Sequence, residues 1–174
     1  MADITAGRLD PDKNSVGGLR AVYFVNDGDC TGVTYDVTDT DAIATVLGTP
    51  TAYKYDLKGA NSFSQAVTSS RDNGTTFYEQ TLSLTFPKLT MKSHKELKLL
   101  TYGKPQVVVE DNNGNFFFCG LKRGMEVTGG TIVTGTNLGD LSGYTLELKG
   151  EEPIAANFID NTLTGAGFTI VLGT

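Results

Sequence analysis

The chain of 174 residues is poor in the side chains that most often perform chemistry. It contains one histidine, two cysteines and no tryptophan. A Ser-His-Asp or Cys-His arrangement would have to use His94, which lies in a lysine-rich stretch and is expected to face solvent on a helix. Cys30 and Cys119 have no metal-ligand spacing, and we expect both to be small buried apolar residues. The sequence therefore predicts no catalytic centre and no zinc site.

Long apolar stretches are also missing. No run approaches the ~20 apolar residues of a membrane-spanning helix, so we expect no membrane insertion. The first 13 residues lack a basic region followed by an apolar run, so we expect no secretory signal. The chain carries a net charge of −6, with a pI near 4.7. This balance argues against a protein that grips nucleic acid, but not against a surface past which nucleic acid slides.

Acidic and glycine-rich stretches raise the question of a metal or a cofactor. Asp36, Asp39 and Asp41 form an acidic cluster, but the calcium-loop spacing of an EF-hand is absent there. The DNNGN stretch at 111–115 has its glycine at the wrong position for such a loop. The glycines of 128–139 lack the Lys-Ser/Thr pair of a phosphate-binding loop. Capping and turn formation explain these residues, so the sequence predicts neither a metal nor a cofactor.

What the chain has in quantity is glycine, 21 residues, between short stretches of alternating apolar and polar residues. Residues 76–86 and 142–149 alternate with period two, which is typical of half-buried strands. Such strands follow one another through tight turns without crossover helices. This pattern favours a mainly β fold, an antiparallel β-sandwich or small barrel. We expect residues 1–18 to form a flexible or extended arm and residues 19–174 to form one domain.

Two segments have helical spacing. Ser93 and Glu96 match a capping box, and Leu97 and Leu100 share a face, which predicts one flanking helix at about 93–102. In a second segment, at about 40–47, Ile43, Val46 and Leu47 lie on one helical face before Gly48. This spacing predicts a short second helix.

The stretch VVVEDNNGNFFFC at 107–119 places three valines and three phenylalanines on either side of a turn. An Asn-Gly pair is a strong signal for a two-residue hairpin turn, here at Asn113 and Gly114. That turn would pair Val109 with Phe118. Both faces of the hairpin would then be apolar, whereas a hairpin with one wet face alternates apolar and polar residues.

Something must cover the second face of this hairpin, which in that register carries Val108, Phe117 and Cys119. An exposed apolar face would forfeit several kcal/mol and create an adhesive patch. We expect one face in the sandwich core and the other under the 93–102 helix or against a neighbouring subunit. On this hypothesis Phe117→Asp abolishes folding or assembly.

One long segment, GLKRGMEVTGGTIVTGTNLGDLSGYTLELKGEEPIAANFI at 120–159, resembles tail proteins of long-tailed bacteriophages. The preceding KELKLLTYGKPQVVVEDNNGNFFFCG and TFYEQTLSLTF extend the resemblance to about residues 19–160. The likeness is one of pattern, from the YEQ strand through the helix and the valine-rich hairpin to GDLSGY. Within that group the chain most resembles the tail tube protein, which is related to the inner tube protein of type VI secretion and other contractile injection systems.

The resemblance implies a structural protein and not an enzyme. Copies of such proteins form rings, hexameric in that family, which stack into a hollow tube through which DNA passes. The implied partners are other copies of the chain and other tail proteins such as sheath, baseplate or terminator, with DNA only in transit. The implied location is the virion tail, assembled in the cytoplasm of a bacterial host. Another neck, tail-terminator or capsid-decoration protein, or a small β-barrel binding protein or enzyme, stays open.

Subunit contacts are expected on one face of the 107–119 hairpin, in the GDLSGY segment and in residues 59–76, which are expected to protrude toward the next ring. The expected contact residues are Val108, Phe117, Cys119, Asp140, Tyr144, Arg71 and Asn73.

Overall fold

The computed structural model describes Ile4 and residues 6–173. These residues are mainly β, 48% strand and 6% helical. The elements in chain order are β1 Leu19–Val25, β2 Cys30–Tyr35, β3 Ile43–Gly48, β4 Thr51–Asp56, β5 Ser62–Ser70, β6 Thr75–Pro87, α1 Met91–Leu100, β7 Gln106–Asp111, β8 Phe116–Cys119, β9 Glu126–Val133, β10 Gly143–Glu152, β11 Asn157–Ile159 and β12 Thr169–Val171.

The strands form two sheets. A four-stranded antiparallel sheet has the order β5-β6-β10-β9, and an eight-stranded sheet has the order β12-β4-β1-β7-β8-β11-β3-β2. The eight-stranded sheet is mixed, because β11 pairs with β3 and β12 pairs with β4 in parallel. Neither sheet closes on itself within the described residues. The expected mainly β, sandwich-like fold with a flanking helix is confirmed, and a closed barrel is not.

Two apolar cores hold the sheets together. The first core lies on one face of the eight-stranded sheet, which curls so that strands from both ends of its order contribute. Its buried residues are Ala21, Tyr23, Val25, Cys30, Ile43, Val46, Ala52, Val108, Phe118, Ile159, Leu163, Ala166 and Phe168. The second core lies between the two sheets and under α1. Its buried residues are Val22, Phe24, Leu82, Leu84, Phe86, Leu97, Val107, Val109, Cys119, Met125, Tyr144, Leu148 and Ala156.

The predicted second helix at 40–47 is wrong, because that segment is strand β3. It pairs antiparallel with β2, and the register shifts between Thr34 and Tyr35, so Ala44 is an extra residue. A bulge of this kind places two core-facing residues three positions apart instead of two. Ile43 and Val46 are therefore both buried in a strand, at a spacing that imitates a helix.

The predicted register of the 107–119 hairpin is also wrong, by one residue: Val109 pairs with Phe117 and not with Phe118. The turn spans five residues because the Asp111 carboxylate accepts the backbone N–H of Asn113 at 2.9 Å and of Asn115 at 2.8 Å. Since side chains alternate along a strand, this shift exchanges the faces of every β8 residue.

Both faces of the hairpin are covered by the chain itself. Val108 and Phe118 are fully buried in the first core, and Val107, Val109 and Cys119 are fully buried in the second. The second core includes Leu97 of α1, so the helix helps to cover the face that lies between the two sheets. The other face is covered by the curled eight-stranded sheet, and not by the helix or a neighbouring subunit as expected.

The N-terminal segment meets the domain at the same turn. The side chain of Asn113 accepts the backbone N–H of Val16 at 2.9 Å and donates to its carbonyl oxygen at 2.8 Å. The Asn112 side chain donates to the carbonyl oxygen of Gly17 at 2.7 Å. Residues 6–15 form neither helix nor strand and are exposed. These hydrogen bonds therefore attach the described part of the N-terminal arm to the domain only at its C-terminal end, close to β1.

Truncating the two phenylalanine side chains Phe117 and Phe118 tests the corrected register of the 107–119 hairpin. Phe118→Ala should lower the free energy of unfolding by about 3–5 kcal/mol, because the ring is fully buried and leaves a cavity. Phe117→Ala should cost at least about 1 kcal/mol less, since Phe117 is only half-buried. Urea denaturation measures both. An equal or larger loss for Phe117→Ala would contradict the register.

Candidate assembly surface

Three of the expected contact residues are inside the molecule. Val108 and Cys119 are 0% exposed and Tyr144 is 2% exposed. The Tyr144 hydroxyl donates to the carbonyl oxygen of Thr90 at 3.3 Å, which fixes β10 to the start of α1. No second copy can reach these side chains in the folded chain, so the structure corrects the expectation for all three.

Phe117 is half-buried at one margin of the second core. Its ring centroid lies 4.4 Å from that of Phe158 and 6.3 Å from that of Phe63. Phe158 is itself 50% exposed. Phe117 therefore holds β8 against β5 and β11, and Phe117→Asp is expected to damage the fold before any assembly.

The remaining expected contact residues are exposed. Arg71 and Asn73 lie in the turn between β5 and β6. The pairing of β6 with β10 stops at Tyr78, whereas the β5–β6 pairing continues to Ser70 and Thr75. The tip of the β5–β6 hairpin therefore extends past the end of β10. It includes Arg71 and Asn73, which belong to the 59–76 segment that was expected to protrude.

Asp140 is exposed and organises the loop between β9 and β10. Its Oδ2 accepts the backbone N–H of Thr136 at 2.9 Å and of Asn137 at 2.7 Å. The N–H groups of Asn137 and Thr136 stabilise the ionised carboxylate and lower the pKa of Asp140 below its ordinary value. The role shown for Asp140 is to shape this loop.

The outer strands of the four-stranded sheet, β5 and β9, leave two backbone edges unpaired among the described residues. They are long, with nine and eight residues. Successive strands in this sheet are antiparallel, so β5 and β9 run in opposite directions. Each edge presents a row of N–H and C=O groups that is a template for another strand.

Neither edge strand contains a lysine or a proline, two residues that commonly block pairing with another chain. Natural edge strands are commonly blocked by lysine, by proline or by inward-pointing charges. The β5 sequence SFSQAVTSS contains no charge and no proline, and the β9 sequence EVTGGTIV contains only Glu126 at its start. A register shift against β10 leaves Thr128 as an extra residue in β9. Such a bulge bends the strand, as curved and closed sheets require.

Each edge also leaves an apolar side chain uncovered on the inner face of the sheet. Val67 of β5 is 63% exposed and Ile132 of β9 is 61% exposed. Val67 pairs with Tyr78 and Ile132 pairs with Tyr144. Because paired residues lie on the same face of a sheet, both side chains point to the face that carries the second core. A strand added at either edge would bring further inner-face side chains toward them.

The outer face of the four-stranded sheet is polar, with three carboxylates and one lysine along its two central strands. Along β6 and β10 it is formed by residues that alternate with the core positions: Thr81, Ser83, Thr85, Thr145, Glu79, Glu147, Lys149 and Glu151. The single lysine lies 3.7 Å from both Glu79 and Glu147. Hydroxyls and an excess of carboxylates therefore cover this face.

The described residues also include a charged cleft and two buried thiols. A shallow cleft of about 480 Å³ has cations and anions in equal number, from Lys104, Arg123, Lys149, Glu79, Glu126 and Glu151. Burial raises the pKa of both cysteine thiols, which favours the unreactive protonated form. No group of three potential metal ligands occurs in the described part. In that part, no helix has the length and apolar character needed to cross a membrane.

Comparisons of the chain with protein-family models, with curated proteins and with solved structures gave no match.

Sequence reasoning did not single out the two sheet edges. The β5 and β9 segments were recognisable as strands, and their lack of charge is visible in the sequence. Their place at the edges depends on which strands pair, and that information is not in either segment. A search for uncharged, proline-free strands would have included β5, but also β2, β3, β8, β11 and β12.

The loop shaped by Asp140 can be tested by its pH dependence. Because the folded pKa is lowered, the loop's hydrogen bonds are fully present above the ordinary value of 3.8 and are lost as pH falls through the folded pKa. We expect the amide signals of Thr136 and Asn137 to shift together in an NMR titration, with a midpoint below 3.8. A midpoint at or above the ordinary value would refute this role, and Asp140→Asn should remove the transition.

Proposed function

We propose that this chain is a structural protein whose copies join through their sheet edges into rings, and that the rings stack into a hollow tube of the bacteriophage tail-tube type. The observation that carries the proposal is the pair of long, oppositely directed edge strands β5 and β9, which are free of lysine and proline. The resemblance of residues 19–160 to tail tube proteins supports it independently.

Ring geometry follows from the strand directions. Copies related by rotation about an axis along the strands keep the same strand direction, so β9 of one copy meets β5 of the next antiparallel. Such a contact is heterologous, and rotation can close it into a ring without free edges. Six copies, the number that the resemblance implies, would give a barrel of roughly 24 strands, and barrels of about 16 to 18 strands already hold an aqueous channel.

The two faces of the four-stranded sheet would then have different roles. Its inner face is covered by the eight-stranded sheet, so its polar outer face would line the channel. Carboxylates and hydroxyls bind phosphate weakly or repel it, and a conduit for DNA must not hold its cargo. The net charge of −6 agrees with this role. In this proposal the chain serves in a virion tail and performs no catalysis.

Charges at the uncovered edge positions provide the test. Ile132→Lys and Val67→Lys should each prevent ring formation, because an inward-pointing lysine at an edge blocks strand addition. The free energy of unfolding should change by less than about 1 kcal/mol, since both side chains are mostly exposed. Negative-stain electron microscopy and sedimentation velocity would show hollow tubes for the wild type and single copies for the variants.

The matched control is Leu172→Lys, which places the same charge on a 67% exposed apolar residue outside this sheet and should leave tubes intact. Tubes of normal appearance from either edge variant would count against edge pairing. A wild-type protein that stays monomeric at high concentration would refute the proposed ring and tube assembly. Wild-type rings that never stack would favour a neck, terminator or decoration protein.

A further inference from the structure

Two turns of the chain contain the same Asn-Gly pair, at residues 73–74 and 113–114. The first turn joins β5 to β6, and the second joins β7 to β8. Both turns are exposed, and the glycine has a positive φ in each, +61° at Gly74 and +86° at Gly114. Each glycine N–H donates to the carbonyl oxygen three residues earlier, at 3.4 Å in the first turn and 3.3 Å in the second. The two turns therefore share their Asn-Gly pair, their exposure and this backbone hydrogen bond.

The side chains of the two asparagines are held differently. The Oδ1 atom of Asn113 accepts the backbone N–H of Val16 at 2.9 Å, and its Nδ2 donates to the carbonyl oxygen of Val16 at 2.8 Å. This Nδ2 also donates to the Asp111 carboxylate at 3.3 Å. The Asn73 side chain makes no hydrogen bond to any described residue, whereas the backbone N–H of Asn73 donates to the Ser70 hydroxyl at 3.3 Å. The Asn113 amide is thus fixed by three bonds, and the Asn73 amide can rotate.

An asparagine that precedes glycine can lose its side-chain nitrogen without an enzyme. The glycine nitrogen attacks the asparagine Cγ, a new C–N bond forms, and the Cγ–Nδ2 bond breaks. Nδ2 leaves as ammonia with the proton of the glycine N–H. Water then opens either of the two C–N bonds of the cyclic imide, which gives aspartate or isoaspartate. Each conversion consumes one water and releases one ammonia. Glycine favours the attack because it has no Cβ to shield its nitrogen and restricts its backbone least.

The hydrogen bonds of the side-chain amide oppose this reaction. The asparagine side chain must rotate until its Cγ lies against the following nitrogen, so the bonds that hold the amide have to break first. For Asn113 these are the two bonds to Val16 and the bond to Asp111. Since each such bond has a modest net strength, breaking two or three of them lowers the population of the reactive conformer by about tenfold or more. Asn73 has no bond of this kind among the described residues.

We infer that Asn73 is a site of spontaneous deamidation, and that the N-terminal segment bound to Asn113 protects Asn113 from the same reaction. The inference does not use the proposed ring or tube. It rests on the difference between two turns that carry the same dipeptide in one chain. The bonds from Val16 therefore do more than attach the arm, because they also keep the β7–β8 turn chemically intact.

Conversion of Asn73 changes the tip of the β5–β6 hairpin. Either product adds a negative charge next to Asp72, and isoaspartate also adds one carbon atom to the main chain. The last pair of the β5–β6 ladder is Ser70 with Thr75, directly at this turn. A longer main chain no longer fits the spacing of the turn, so the end of β5 should loosen as the protein ages.

Peptide mapping at timed intervals measures both sites in one sample. The folded protein is kept warm at mildly alkaline pH, where the glycine N–H loses its proton more easily. Trypsin then separates the sites, because Asn73 lies on peptide 72–88 and Asn113 on peptide 99–122. Mass spectrometry with fragmentation locates the residue whose amide has become a carboxyl group, and an isoaspartate-specific methyltransferase detects isoaspartate. Asn73 should convert about tenfold or more faster than Asn113.

Two controls separate the effect of structure from that of sequence. In guanidinium chloride the hydrogen bonds to Val16 and Asp111 are lost, so both sites should convert at similar rates. Asn73→Gln should stop conversion on peptide 72–88, because glutamine would have to form a larger ring, and it should leave the rate at Asn113 unchanged. A sample digested at zero time corrects for conversion during digestion.

Val16→Pro tests the protection of Asn113. Proline has no N–H, so the bond to the Asn113 Oδ1 is removed. Val16 is 60% exposed and lies outside the strands, so the fold should be retained, which circular dichroism verifies. The variant should convert Asn113 several-fold faster than the wild type and Asn73 at the wild-type rate. Ser15→Pro places the same residue one position earlier, leaves the Val16 N–H in place, and should change neither rate.

Four results would overturn the inference. Equal rates at the two sites of the folded chain, or faster conversion at Asn113, would contradict it. A folded chain that keeps Asn73 intact while the unfolded chain converts it would show that the β5–β6 turn is protected as well. A difference that persists in guanidinium chloride would assign it to the neighbouring sequence. A folded Val16→Pro protein that converts Asn113 at the wild-type rate would refute protection by the N-terminal segment. None of these results bears on the tube proposal.

Discussion

The proposed assembly depends on the hydrogen-bonding capacity of two strand edges. Every backbone N–H and C=O group is a strong donor or acceptor, and natural proteins protect long edges against pairing with other chains. Here β5 and β9 lie at the two ends of one sheet, and neither contains a lysine or a proline. A chain that folds with its cores filled and still leaves two such edges is well suited to join with copies of itself.

This constraint differs from the one that the sequence suggested. The 107–119 hairpin is apolar on both faces, as expected, but the curled eight-stranded sheet covers one face and the four-stranded sheet with α1 covers the other. The proposed assembly therefore does not depend on surplus apolar surface of this hairpin. The uncovered apolar residues that matter to the proposal are Val67 and Ile132 at the sheet edges.

Local sequence patterns predicted which segments form strands or a helix better than they predicted which residues pair across the strands. The period-two alternation of β6 and β10 led to the correct strands. The helix predicted at about 93–102 is present, but it begins at Met91 with Thr90 as its N-cap, so the Ser93–Glu96 capping box was wrong. Two errors came from single residues: Ala44 adds a bulge that gives β3 a helical spacing, and the Asp111 carboxylate enlarges an Asn-Gly turn to five residues. Neither a bulge nor a side-chain-capped turn shifts the average composition of its segment, so the pattern did not reveal them. The buried state of Tyr144 likewise depends on α1, which is distant in sequence.

Hydrogen–deuterium exchange of the β5 and β9 backbone amides tests the central claim most directly. The account predicts that the outward-pointing amides of β5 and β9, which have no partner strand in the single chain, exchange freely in dilute, dissociated protein and become protected together when the protein is concentrated and assembles. Assembly into rings or tubes while these amides exchange as fast as in the single chain would contradict it.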